Sequence, residues 1–272
     1  MSRYEDFLKK ASNEYIYHDR FLKVKDVVLE NMEKRRFFDA KGVYGDGGFG
    51  VLAEKSMHAV LKRFAEPDDD YHEVALNGFF ADICRDGKVT EIQTKRLANL
   101  RKKLDVFLKD YDVTVIHPVI CNKWKGYSDD GAPPSSFRLS SQHLDEYSAF
   151  DELYGLKGML DRPGLHIHLY LVDAQEVMVR EKKVKGRRRS RSGYERFDII
   201  PLGIRDIVRI DHINDYMRFL PDIEGQFISA DFARGAGISR GRASLVLNVL
   251  ASVGTVKRVG KKGNYYLYEA AY

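Results

Sequence analysis

Two dipeptides, Asn77-Gly78 and Asp86-Gly87, constrain the middle of this chain more tightly than any other feature. Each is a preferred two-residue type I′ turn, which needs positive φ at both central positions, and each separates short runs of strand formers at 73–76, 79–85 and 88–93. The three runs form an antiparallel meander. A two-residue turn also fixes register, placing Arg85 opposite Lys88, Cys84 opposite Val89, Ile83 opposite Thr90 and Asp82 opposite Glu91. Opposed like charges destabilise an antiparallel pair, so Asp82 and Glu91 need either water or a cation between them, and a hard divalent metal is the natural resolution. Gln93 lies two residues beyond Glu91 and shares its face, while Ile92 points to the other side.

The flanking periodicities build a layered domain around this meander. Met57, Val60, Leu61 and Phe64 recur at helical spacing within 51–64, and Glu54 lies on the same inward stripe. Leu97, Leu100, Leu104, Phe107 and Leu108 predict a second helix over 95–111, with Arg96, Lys102, Lys103 and Lys109 around its remaining surface. A strand at 113–116 follows, and after a helical crossover it lies parallel to the third strand of the meander. The order is α-β-β-β-α-β. Residues 2–40 read as helical, 45–50 as a glycine-rich hinge, 122–141 as a loop and 144–160 as a helix. Residues 165–172 and 207–210 read as strands, and 214–219 as a short helix.

Composition excludes several classes. The chain has 272 residues, 44% hydrophobic and 31% charged, with no apolar run approaching the ~20 residues that span a bilayer. Its first residues lack the apolar stretch of an export signal, and Cys84 and Cys121 form neither a disulfide framework nor a cysteine-built zinc site; a cytoplasmic location fits. Net charge is +5, and residues 229–272 hold that whole surplus, with seven Lys or Arg against Asp231 and Glu269. A second basic run within 180–196 includes Arg187, Arg188 and Arg189 and reads as an exposed loop suited to phosphate contact.

The last 44 residues read as two helices and a hairpin. Ser229 begins a helix through Arg234, and Ser239 caps a longer one to about Val253, carrying Leu245, Val246, Val249 and Leu250. Strands at 255–259 and 265–268 follow, joined by a basic turn at 260–264. This segment resembles a winged-helix domain. The resemblance implies that Ser239, Arg240, Arg242 and Ser244 enter the DNA major groove and that Lys261 and Lys262 on the wing reach phosphates.

Residues 51–120, with an acid in the first helix, an Asp in the second strand and Glu91-Ile92-Gln93 in the third, resemble the PD-(D/E)XK nuclease superfamily. Matched residue by residue, Glu54 is the helix acid, Asp82 the strand aspartate and Glu91 the second acid, while Gln93 stands where the family usually has Lys. The resemblance implies an α/β, restriction-endonuclease-like core with a mixed sheet flanked by helices. It implies phosphodiester hydrolysis by Glu54, Asp82, Glu91 and Gln93, with Mg²⁺ or Mn²⁺ held by Asp82, Glu91 and the Ile92 carbonyl. Lys95, Arg96, Arg101 and Lys102 are candidates to replace the missing lysine charge. The expected organisation is a helical extension over 1–50, a nuclease-like domain over 51–220 and the winged helix over 221–272. The expected partner is DNA, with no membrane, and double-strand cleavage would favour a homodimer. The competing expectation is a DNA-binding regulator with a degenerate nuclease fold.

Overall fold

The computed structural model describes residues 3–40, 55–129, 134–181 and 192–271. In chain order the elements are α1 (Arg3–Ala11), α2 (His18–Ala40), α3 (Ser56–Ala65), β1 (His72–Leu76), β2 (Phe79–Arg85), β3 (Lys88–Ile92), α4 (Arg101–Phe107), β4 (Asp112–Ser128), β5 (Phe137–His143), α5 (Phe150–Leu153), β6 (Leu165–Arg180) and β7 (Tyr194–Ile210). Then come β8 (Phe227–Ile228), α6 (Ser229–Gly235), α7 (Arg240–Ser252), β9 (Val256–Lys262) and β10 (Tyr265–Ala270). Among the described residues the main sheet has the order β1-β2-β3-β4-β6-β7, with β5 added to β4, and a second sheet has the order β8-β10-β9. The main sheet is mixed, because β3 and β4 are parallel while β1/β2, β2/β3 and β4/β5 are antiparallel. The protein is therefore α/β.

Both turns of the meander adopt the backbone that their sequences require. Asn77 and Gly78 have φ of 48° and 84°, and Asp86 and Gly87 have 50° and 73°. The second turn sets the expected register, with Arg85 opposite Lys88, Cys84 opposite Val89 and Ile83 opposite Thr90.

Several stretches differ from the sequence reading, among them the strands expected over 165–172 and 207–210, which extend to Leu165–Arg180 and Tyr194–Ile210. The helix expected over 95–111 begins as a 3-10 turn at Leu97–Leu100, entered through Arg96 in the left-handed region at φ 53°, and its α-helical part ends at Phe107. The expected loop over 122–141 is largely strand, since β4 runs to Ser128 and β5 begins at Phe137. Here alternate residues meet different surroundings: Trp124 is buried against Tyr4 and Phe7 of α1, with ring centroids 5.1 Å and 4.9 Å away. The helix expected over 144–160 is short helical turns spanning Glu146–Leu156. Gly155, within the last of these turns, packs so tightly on Ala98 that a Cβ would lie 3.0 Å from the alanine methyl.

The chain divides into two compact units. The first comprises residues 1–70, 120–143 and 171–206, and a buried carboxylate ties its segments together. Asp173 is 0% exposed and accepts hydrogen bonds from the Tyr15 hydroxyl (3.0 Å), the Asn122 backbone N–H (3.0 Å) and side-chain amide (2.9 Å), and Arg205 (2.9 Å). Arg205 also reaches Glu14 at 3.0 Å. The Tyr15 ring lies flat against Gly203, where any Cβ would come within 2.3 Å of it. Phe21 packs on Phe64, while Asp198 on β7 holds the start of α3 through the Ser56 N–H (3.3 Å) and hydroxyl (2.6 Å).

The second unit comprises residues 71–119, 144–170 and 207–272. Its core includes Ala81, Val89, Leu97, Leu104, Phe107, Val113, Val115, Phe150, Leu153, Leu169 and Val208, all buried. Tyr147, Phe150, Phe219 and Phe232 continue it as a run of edge-on and stacked rings.

The Tyr15–Gly203 contact is directly testable. Gly203→Ala should destabilise the protein by about 1–3 kcal/mol, the usual cost of overpacking a tight core contact. Urea denaturation of the variant against wild type measures this.

Candidate active site and nucleic-acid interface

Asp82 on β2 and Glu91 on β3 come together where the backbone ladder between these strands stops. Regular pairing ends at Ile83 and Thr90, and beyond it the side chains take over. The Asp82 N–H donates to Glu91 Oε1 at 3.3 Å, and the Ile92 N–H donates to Asp82 Oδ2 at 2.7 Å. Each carboxylate thus occupies a place that the neighbouring strand's carbonyl would otherwise fill. The expected juxtaposition of the two acids is present, and a cation does accompany it: Lys103 Nζ lies 2.6 Å from Glu91 Oε2. Glu91 is 2% exposed. Burial raises its carboxyl pKa and the Asp82 charge raises it further, against the hydrogen bond and charge of Lys103, leaving it pushed up to about 7.

Lys103 is the residue that the sequence reading assigned to the solvent-facing side of α4. It sits directly before the buried Leu104 and four residues before the buried Phe107, so its stem runs along the apolar stripe and its ammonium lies 5.7 Å from the Phe107 ring centroid. The four cations proposed from sequence are on the accessible side of this segment. Lys95, Arg96, Arg101 and Lys102 are exposed, and Arg101 donates to the carbonyls of Gly155 (2.8 Å) and Lys157 (2.5 Å). The signal available for Lys103 was positional, a lysine at the edge of the helix's buried stripe.

Gln93 is held by its backbone. Its carbonyl accepts from His117 Nδ1 at 2.7 Å, its N–H donates to the Ile116 carbonyl at 3.0 Å, and its side-chain amide donates to the Lys95 carbonyl. A carbonyl can only accept, so His117 carries its proton on Nδ1, and burial holds the imidazole's pKa below its ordinary value. Glu54 lies outside the described residues, as do Arg187, Arg188 and Arg189 and the glycine-rich segment at 45–50. Among the described residues no group of three or more His, Cys, Asp or Glu side chains is arranged to hold a metal ion. The donors at Asp82, Glu91 and the Ile92 carbonyl are all oxygens, the chemistry that Mg²⁺ requires, and a carboxylate oxygen has lone pairs for both a hydrogen bond and a cation.

The C-terminal helices and hairpin divide their polar residues between internal and external use. The Ser239 hydroxyl caps α7 by accepting the Arg242 N–H at 3.3 Å. Arg242 itself turns inward, reaching the Ser148 hydroxyl at 3.1 Å and Asp151 at 3.6 Å. Arg240 and Ser244 are exposed. Lys261 and Lys262 are exposed on β9, which continues through the expected turn to Lys262 and leaves Gly263-Asn264 as the tip. Sequence reading overlooked Arg258 and Tyr266. Tyr266, 47% exposed, has Arg258 4.5 Å and Lys261 5.4 Å from its ring centroid, so cations flank an accessible aromatic ring.

These features define an α/β domain with a mixed sheet and an acidic pair, Glu91 buried and Asp82 half-buried, at a fork between two strands. The chain belongs to the family described as a domain of unknown function, DUF8091, whose profile matches residues 55–211. It is also similar to an uncharacterized protein of Treponema pallidum (strain Nichols), at 26% identity over 135 residues covering 49% of this chain and 54% of that protein. The chain thus spans about half the length of this curated relative. No solved structure matches it.

The Lys103–Glu91 pair is expected to behave as a coupled unit. Lys103→Met should cost about 3 kcal/mol, because it leaves a buried carboxylate unmatched, and adding Glu91→Gln should recover more than half of that loss. A double-mutant cycle by urea denaturation checks this, and strictly additive losses would show that the two side chains are uncoupled.

Proposed function

We propose that this protein is a metal-dependent nuclease that hydrolyses phosphodiester bonds, with DNA as its polymer. The observation that carries the reading is the acidic pair itself. Asp82 and Glu91 sit at a strand fork, one of them buried, in the β2–β3 register that places their like charges together. Lys103 offsets the charge of Glu91, and the all-oxygen donor set of Asp82, Glu91 and the Ile92 carbonyl beside it is what argues for a divalent ion. The resemblance to PD-(D/E)XK nucleases supplies the chemistry, and the α-β-β-β-α-β order with β3 parallel to β4 is compatible with it.

In this reading Asp82, Glu91 and the Ile92 carbonyl hold a divalent ion of the Mg²⁺ or Mn²⁺ type. When bound, that ion lowers the pKa of a coordinated water and neutralises charge growing on the scissile phosphate. Lys103 supplies positive charge beside the acids, the role for which Gln93 has no charge, and His117 fixes the backbone carrying Gln93. The C-terminal segment acts as a winged helix, with Arg240 and Ser244 on α7 and Arg258, Lys261 and Lys262 on the wing available to DNA phosphates and groove. Arg242, committed to Asp151 and Ser148, contributes to holding α7 instead.

A second reading, a DNA-binding regulator without turnover, is favoured by Gln93, whose amide is directed to the Lys95 carbonyl, and by Lys103 already matching Glu91. Wild type, Asp82→Ala and Glu91→Ala, incubated with duplex, single-stranded and branched DNA in Mg²⁺, Mn²⁺ or EDTA, separate the two. The nuclease reading expects metal-dependent products from wild type and none from either variant; equal cleavage by all three proteins overturns it. Binding without products from any of them selects the regulator.

A further inference from the structure

Three cations meet one carboxylate on the β4–β5–β6–β7 surface of the first unit, and a fourth stands on the neighbouring strand. Glu176 on β6 is 2% exposed and meets Arg196 of β7 at 2.8 Å, Lys125 of β4 at 3.3 Å and Lys123 at 3.5 Å. Arg138 of β5 stands directly opposite Lys125 in the antiparallel ladder, so its side chain emerges on the same face. It is exposed, and among the described residues it makes no ion pair. The other face of β4 is occupied by Trp124 under α1, which leaves Lys125 and Tyr127 together on this one.

Among the described residues Glu176 is the carboxylate that meets Lys123, Lys125 and Arg196, while Arg138 makes no ion pair, and opposed like charges such as Lys125 and Arg138 destabilise a strand pair. Lys125 and Arg196 keep about a third of their side-chain surface open, at 35% and 36%, so their charge is presented to solvent. Beside them Tyr127 is 48% exposed, its ring steadied edge-on against Tyr194 at 5.0 Å and 76°. Tyr194 is in turn held by its hydroxyl on Asp129 at 2.6 Å. Cations at the spacing of a β-sheet beside a held, accessible aromatic ring form the usual platform for a nucleic-acid strand with unpaired bases.

We infer that this face binds single-stranded nucleic acid, with Lys125, Arg138 and Arg196 on phosphates and Tyr127 stacking on a base. Glu176 organises the cations and moderates their pull. This site does not depend on the acidic pair or on the C-terminal hairpin, and both can be silenced while it is measured. The full chain carrying Glu91→Ala together with Arg240→Gln, Lys261→Gln and Lys262→Gln serves as the background, in EDTA, with a labelled single-stranded oligonucleotide and a duplex of equal length.

Lys125→Gln should weaken single-strand binding and flatten its dependence on log salt by about 0.7, the share of one phosphate contact. Tyr127→Ala, at an exposed position whose removal leaves the core intact, should weaken it about tenfold while leaving the salt slope unchanged. Glu176→Gln should tighten binding, the opposite sign from any loss of structure, and thermal melting of each variant confirms that it is folded. Unchanged affinity in Tyr127→Ala and Glu176→Gln overturns the inference. Equal affinity for duplex and single strand also overturns it, and so does competition by poly-glutamate as effective as that by unlabelled oligonucleotide, which would assign the face to an acidic protein.

Discussion

A carboxylate removed from water must be matched, and that requirement organises this structure. Glu91, Asp173, Glu176 and Asp198 are all buried. Asp173 accepts four donors from three parts of the chain and so fixes the helical N-terminal segment to β4, β6 and β7. Asp198 takes the N–H and hydroxyl of Ser56 and starts α3. Glu176 gathers three cations, and Glu91 has Lys103. The first two are fully used within the fold. The last two stand among further charges, three cations around Glu176 and the neighbouring Asp82 beside Glu91.

The parts of the fold legible in the sequence are those governed by local rules. Asn77-Gly78 and Asp86-Gly87 demanded left-handed backbone and obtained it, and the resulting register brought Asp82 to Glu91. The parallel alignment of β4 with β3 followed from a helical crossover. What escaped was polar and long-range. The outer halves of β6 and β7 carry Asp173, Glu176 and Asp198 at buried positions, so their alternation of apolar and polar residues is broken and the strands looked shorter than they are. The β4–β5 extension was hidden by its Gly, Pro and Ser content.

The candidate site was legible to the same degree. The acids could be placed because a turn fixed their relation, whereas the cation that meets them comes from a helix whose pitch relative to the sheet no local rule supplies. Lys103 and Lys102 are neighbours with the same chemistry, yet one reaches Glu91 and the other faces water. Arg242 shows the converse. It stands where a groove-reading residue is expected and is used internally against Asp151, while the unremarked Arg258 lies over an exposed tyrosine.

The division into two units, each drawn from three separate stretches of chain, governs how the protein can be made. The chain passes between the units five times, at residues 70, 119, 143, 170 and 206. Neither unit can be released as a continuous fragment by a single cut. During synthesis, residues 1–70 leave the ribosome well before 171–206, so Tyr15 and Glu14 emerge long before the Asp173 and Arg205 that receive them. About three quarters of the chain, to Arg205, must be translated before the first unit's buried anchor can close, so the early helices wait on the last strand of their own unit.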